Sequence, residues 1–465
     1  VTRPWRDMTS LTPDDAVTRH SPPPPTAPPK TSVRKVAIAS GIGTTIEFYD
    51  FFIYGTAAAL VFPTVFFPAL GATAGTVASF ATFAVAFIAR PVGAVLFGHF
   101  GDRIGRKKTL ISTLLLMGIS TFAIGLLPGA ATIGVAAPII LVLLRFGQGF
   151  AVGGEWAGAT LLTAEYAPAK KRGFYAMFPQ LGPSAAFILS SGTFLITGAV
   201  FGDTNEVFLN YGWRIPFLLS AVLVLIGLYM RLAIEETPVF RANQAAEKVA
   251  EKTTEKPVRL PILEAWHVQR KEILLSAGAL ASLFSLFYMG TAYLTSYGTK
   301  TLGYDRPFVL WTGLVGAVVF GLAIALSAMY SDRVGRRRVI MTSCALAIPW
   351  AIALFPLLDT GNQAVYILAM CVTLAIFGIA YGPTGALLPE LFQTRFRYTG
   401  AGLGYNLAGV LGGAIPPLLA APLTAQFGSI AVGVMLAALS VLSLVCTKAL
   451  VETRHVDMSA DTAGR

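Results

Sequence analysis

The sequence predicts an all-α membrane protein of twelve transmembrane helices in two six-helix bundles. Three observations carry that prediction. Residues of the AVILMFWYC set make up 55% of the 465 residues and charged residues only 13%, against about 25% charged in a soluble domain; the mean hydropathy is +0.66. Apolar runs long enough to cross about 30 Å of hydrocarbon follow one another closely. Basic residues gather in alternate short loops. Such a chain cannot cover its surface with charge, so lipid must be its solvent, which excludes an ordinary soluble enzyme.

The elements follow in order. Residues 1–35 contain the Pro-rich stretch Ser21 to Lys30 and lack the apolar middle of a signal peptide, so they read as a disordered cytoplasmic tail. Spans are expected at 36–62, 75–98, 109–128, 136–163, 174–199 and 214–233, the first bundle covering 36–233. A charged segment, 234–271, rich in Glu and Lys and broken by Pro238, Pro257 and Pro261, forms a cytoplasmic central loop. The second bundle, 272–450, holds spans at 272–298, 308–330, 339–358, 364–388, 399–421 and 429–450, and 451–465 is a short cytoplasmic tail.

The net charge of +11 could in isolation indicate a nucleic-acid binder. Position decides otherwise. The clusters Arg103, Arg106, Lys107, Lys108; Lys170, Lys171, Arg172; Arg333, Arg336, Arg337, Arg338; and Arg395, Arg397 occupy alternate loops, which places those loops and both termini in the cytoplasm. Cys344, Cys371 and Cys446 lie inside apolar runs, and His20, His99, His267 and His455 are scattered, so no metal site is expected.

Chemistry repeats between the halves. GDRIGRKK at Gly101 to Lys108 matches SDRVGRRR at Ser331 to Arg338, and Glu165 precedes Arg172 by the seven residues that separate Glu390 from Arg397. Internal repeats with a site at their interface are the architecture of many secondary transporters. The pattern G-x-x-x-D-R-x-G-R-K, here Gly98 to Lys107, resembles the signature of the major facilitator superfamily; the second copy has Ala328 in place of the leading glycine. Glu47-Phe-Tyr-Asp-Phe, Ala89-Arg-Pro-Val-Gly, Arg145-Phe-Gly-Gln-Gly with Gly153-Gly-Glu, Trp213-Arg-Ile-Pro-Phe and Glu236-Thr-Pro resemble its metabolite:proton symporters, although Phe48 stands where tryptophan is common.

That resemblance implies a carrier in a bacterial plasma membrane, not an enzyme, importing a small organic acid such as a dicarboxylate, α-ketoglutarate or shikimate with protons, without ATP hydrolysis or a cofactor. It is expected as a monomer with no nucleic-acid partner. Proton-coupled uptake of a zwitterion such as proline or betaine, and proton-driven efflux of hydrophobic compounds, are the alternatives.

An Asp flanked by Arg at a helix end can pair with basic groups or meet the N-terminus of a neighbouring helix. Asp102, Arg103 and Arg106, with Asp332, Arg333 and Arg336, are therefore expected to latch the outward-facing state, together with Glu165, Arg172, Glu390 and Arg397. In the bland alternative the basic residues only set topology.

A charge at membrane depth costs about 2.5 to 3.5 kcal/mol even on insertion scales. Glu47, Asp50, Arg90, Arg145 and Glu155 need an explanation. Helical spacing puts Glu47, Asp50 and Tyr54 on one face of span one, and Arg145, Gln148 and Glu155 on one stripe of span four. Their depths leave two pairings open: Arg90 with Glu47 or Glu155, and Arg145 with Asp50. A substrate anion that engaged the arginine would free the acid to take a proton. Structural pairs holding helices together are the alternative.

Gln180, Tyr288, Tyr405 and Asn406 could line the same cavity. The glycines from Gly147 to Gly158 read as close helix packing rather than a phosphate cradle, since they lie within a span and lack a loop-and-Lys arrangement.

Overall fold

The computed structural model describes residues 32–104, 106–202, 205–233, 261–393 and 397–456, and of 98–104, 106–107, 233 and 261–264 the backbone alone. Within them twelve helices are long and apolar enough to cross a membrane: α1 Val33–Leu60, α2 Pro68–Phe97, α3 Lys108–Leu126, α4 Ala136–Tyr166, α5 Ala169–Phe201, α6 Phe208–Leu232, α7 Ala265–Thr301, α8 Arg306–Val334, α9 Arg336–Leu358, α10 Gln363–Leu391, α11 Arg397–Phe427 and α12 Ser429–Ala449. No strand occurs among the described residues. The expected tail before residue 32 and most of the central loop lie outside the described residues. Helix is present from Pro261, inside the segment expected to be loop, with a kink at Gln269.

Neighbour relations repeat with an offset of six helices. In the first half α1 packs on α5, α2 on α4 and α3 on α6; in the second α7 packs on α11, α8 on α10 and α9 on α12. Across the halves α5 lies along α8 and α10, and α2 along α11.

Glycines set the tightest of these contacts. A Cβ at Gly149 or Gly153 of α4 would overlap the backbone of Ala86 or Arg90 in α2, and one at Gly93 would overlap Phe150. The two helices therefore meet backbone to backbone, as small residues allow between membrane helices. This contact fixes Arg90 against α4. Pro91 follows Arg90 inside α2 and brings no amide to the helical ladder there.

Helix α4 is interrupted by a turn at Gly153–Gly154. Helix α7 is π-helical over Met289–Tyr293 and Tyr297–Thr301. Between α8 and α9 the chain reverses at Gly335, whose φ of +102° explains the glycine in the repeated loop motif.

Aromatic rings meet between the halves. Phe52 of α1 lies 5.4 Å from Phe287 of α7, and Phe51 lies 5.2 Å from Tyr288; within the second half Phe287 lies 4.5 Å from Phe377 of α10. At the end remote from the basic loops, the Lys300 ammonium donates to Thr76 Oγ1 across the halves at 2.8 Å.

Candidate functional site

Among the described residues, the buried charges of the membrane interior converge in the first half. Glu47, Asp50, Arg90 and Arg145 are at most 4% exposed. With Gln148, Gly149 and Phe51 they line a single void of about 10 Å³, room for about one water. Facing inward is the arrangement that the cost of charge in lipid demands.

Direct ion pairs do not form within this quartet. Arg145 Nη1 donates to Gln148 Oε1 at 3.0 Å, Gln148 Nε2 donates to Thr121 Oγ1 at 2.6 Å, and Thr121 Oγ1 donates to Asp50 Oδ2 at 2.8 Å. The expected Arg145–Asp50 pair is thus a relay through two neutral side chains. Its guanidinium carbon sits instead 3.9 Å from the Tyr54 ring centre, 4.6 Å from Phe51 and 5.1 Å from Phe83. Each such contact contributes about 0.5–2 kcal/mol where water is excluded. The Tyr54 hydroxyl donates to Thr82 Oγ1 at 2.7 Å, which holds that ring beneath the arginine.

Arg90 also lies over rings, Phe51 at 4.7 Å and Phe87 at 4.8 Å. It makes no ion pair within 4.0 Å with Glu47 or Glu155. Glu155 pairs with Arg231 of α6, which also donates to the Leu110 carbonyl. That corrects the expected Arg90–Glu155 pairing: the turn at Gly153–Gly154 starts a new helix at Glu155, and Glu155 is claimed by the last turn of α6. Arg231 was legible as a charge inside the span expected at 214–233 and belongs with the intramembrane charges.

Several donors in this region lack partners. Arg145 Nε and Nη2, Arg90 Nε and the Tyr288 hydroxyl are buried and unbonded, as are Glu47 Oε2 and Asp50 Oδ1. Tyr288 is the contribution of the second half, its ring 4.8 Å from Phe87. Unmet buried polar groups cost about 1–3 kcal/mol each, so their concentration here makes this void the candidate site.

Gln180, Tyr405 and Asn406 are placed differently from expectation. They join the halves instead of lining the void. The Trp156 ring stacks on Tyr405 at 3.6 Å, Gln180 bridges Trp156 Nε1 and the Tyr381 carbonyl, and Asn406 Nδ2 donates to the Gly153 carbonyl at 3.0 Å. Tyr398 donates to the Gly154 carbonyl. The turn in α4 frees these carbonyls, and α11 takes them up. Trp156 escapes a search for charged or hydroxyl groups; its signal is a lone indole directly after Gly-Gly-Glu.

At the basic-loop end, Asp332 accepts from the amides of Gly173 and Phe174 at 2.9 and 3.0 Å, closing the N-terminus of α5 from the other half. Arg336 reaches Asp332 at 2.7 Å and Glu390 at 3.4 Å. Arg172 meets Glu390 at 3.5 Å, and Arg397 meets Glu165 at 3.8 Å, both across the halves. Arg333 is exposed and joins none of these contacts. The side chains of Asp102, Arg103 and Arg106 lie outside those described.

The family model for "Sugar (and other) transporter" matches residues 36–460. The chain belongs to that family, within the major facilitator superfamily. It is 46% identical over 432 residues to the inner membrane metabolite transport protein YhjE of Escherichia coli K12, covering 92% of this chain and 96% of the relative. It is 40% identical to the shikimate transporter of the same organism, covering 85% and 88%, and 36% identical to the proline/betaine transporter of Salmonella typhimurium LT2, covering 83% and 77%. The crystal structure of a D-xylose-proton symporter superposes with a TM-score of 0.68 at 19% identity, covering 92% of this chain and all of that one, a likeness of fold.

In this transporter the segment after α12 takes part in the basic-end network. Thr453 donates to Glu390 Oε2 at 2.7 Å, Glu452 accepts from the amides of Arg336 and Arg337 at 2.9 and 3.2 Å, and Arg172 Nη1 donates to the Val456 carbonyl at 2.9 Å. The first residues of the expected short tail are therefore packed, because the N-terminus of α9 lacks acceptors of its own and Glu452 supplies them.

Proposed function

We propose that this transporter carries a small organic acid together with protons, by alternating access, into the cell across a bacterial plasma membrane, with its basic loops and termini in the cytoplasm. The observation that carries the reading is Arg145: a buried guanidinium on aromatic faces, with two nitrogens unbonded and two carboxylates on the same void. A substrate carboxylate supplies the acceptors that Arg145, Arg90 and Tyr288 lack. The relatives named for shikimate and other metabolites support an organic acid.

Charge balance gives the coupling. Glu47 and Asp50 against Arg90 and Arg145 sum to zero, and a net charge in a closed low-dielectric chamber is expensive. A monoanion therefore loads with one proton, a dianion with two, and a zwitterion with none beyond its own. Glu47 or Asp50 accepts the proton as the substrate draws the arginine away. With the chamber at about 10 Å³, loading requires the halves to part, and the contacts at the basic end hold the conformer closed on that side.

Uptake of radiolabelled shikimate, α-ketoglutarate, proline and betaine into proteoliposomes, with and without an imposed pH gradient, tests the reading. Gradient-driven accumulation of an acid, lost in Arg145→Gln and in Glu47→Gln plus Asp50→Asn, is expected. Accumulation of betaine alone would move the assignment to zwitterions; gradient-driven extrusion of hydrophobic dyes that survives Arg145→Gln would replace it with efflux.

A further inference from the structure

The three consecutive arginines that open α9 have different fates. Arg336 is drawn inward to Asp332 and Glu390. Arg337 donates to the carbonyls of Thr447 and Lys448 at the end of α12. Arg338 is exposed; its carbonyl accepts from the Thr342 hydroxyl at 3.0 Å, and its guanidinium bonds to no described residue. It stands at the mouth of a groove of about 610 Å³ lined by Ala323, Leu326, Tyr330, Val339 and Ile379.

That groove opens on the outside of the bundle. Leu326 is 64% exposed and Tyr330 57%. From Val334 at the basic-loop end to Ala323 it follows one stripe of α8 for eleven residues, about 16 Å along the helix, the scale of a straightened acyl chain. Its lining is mainly apolar, with Ser327 and Thr342 the neutral polar members, a tyrosine sits near the level where such rings mark the membrane interface, and its mouth carries one cation whose guanidinium has no partner among the described residues. Arg333, also exposed, lies two residues before Gly335 and adds positive charge at the same end of α8.

We infer that this groove, formed by α8, α9 and α10, is a binding site for an anionic phospholipid, with the phosphate of the headgroup on Arg338 and one acyl chain along Leu326 and Ala323. A zwitterionic headgroup offers the same phosphate but brings its own cation beside Arg338, whereas a net negative one adds no competing positive charge. The site is independent of the transport reading, since it shares no residue with the charged chamber. Asp332 lies on α8 between Tyr330 and Val334 of the groove, so lipid bound there braces the helix that closes the basic end.

Native mass spectrometry of the full chain, exchanged into micelles with equal amounts of phosphatidylglycerol and phosphatidylcholine of matched chains, tests the site. Retention of phosphatidylglycerol over phosphatidylcholine by about five-fold is expected for one surface arginine, falling to near parity in Arg338→Gln. Leu326→Trp, which obstructs the acyl path along α8 and leaves the arginine, should also lose the retained lipid, and unchanged thermal melting of both variants shows that they fold. Equal retention of the two lipids by the unaltered protein overturns the inference. So does a preference that survives Arg338→Gln, or one abolished by Lys108→Gln at the equivalent position of the first half.

Discussion

Arg172 pairs with Glu390 of the opposite half at 3.5 Å, not with Glu165, which precedes it by seven residues in its own half. Glu165 in turn meets Arg397. The duplicated acid and base exchange partners, so each ion pair is a strap between halves. Equal motifs that paired within their own half would add stability without resisting separation; swapped partners make separation itself costly.

Arg336 stands at the centre of these straps, touching Asp332 and Glu390. Removing one member of a buried charged cluster leaves the others uncompensated and costs about 3–5 kcal/mol. Arg336→Gln should lower the thermal midpoint in detergent clearly, and alkylation of a cysteine placed at Ala176, buried against Gly385 of the other half, should become faster as the basic end opens. An unchanged alkylation rate would remove Arg336 from the closure.

Arg145→Lys keeps the charge and loses the flat guanidinium on Tyr54, Phe51 and Phe83. A conservative charge is not a conservative geometry here. The half-saturating substrate concentration for exchange should rise about ten-fold or more, the equivalent of about 1.4 kcal/mol, whereas Arg90→Lys, with fewer ring contacts, should cost less.

Thr121→Val removes the hydroxyl that links Gln148 to Asp50. Two buried groups lose a partner at once, at about 1–3 kcal/mol each. Proton-driven accumulation should fall more than substrate exchange at equilibrium, because exchange needs no net proton movement. Equal loss of both would show Thr121 to be purely structural.

Tyr398→Phe combined with Asn406→Leu withdraws both donors from the turn in α4. Deuterium uptake at residues 153–158 should increase, since the Gly153 and Gly154 carbonyls then lack their partners on α11. Glu155 and Arg231 lie immediately beneath, so protons should leak through vesicles without substrate. Unaltered uptake of deuterium would disprove the role given to these bonds.

The spans are legible in the sequence because membrane solvation leaves a length and composition signal at each one. The chamber is legible for the same reason: Glu47, Asp50, Arg90 and Arg145 violate that composition, and helical spacing puts them on common faces. Partner choice is not legible. Arg231 takes Glu155 because the turn at Gly153–Gly154 redirects α4, and Gln148 with Thr121 stands between Arg145 and Asp50; both facts depend on how α2, α3, α4 and α6 are rotated about their axes. Gln180, Tyr405 and Asn406 look like cavity residues in sequence, yet the α4 carbonyls and the Trp156 ring give them partners first. The role of Glu452 is hidden because nothing local distinguishes it from any charge after a final span.

The packing of Glu452 and Thr453 against α9 and α10 has a practical corollary for anyone handling the molecule. A purification handle or fluorescent reporter fused directly behind Leu450 would wedge foreign sequence into a seam between the lobes. The fusion should retain native residues through Val456 before any spacer begins, or the tagged protein will report the behaviour of a loosened variant.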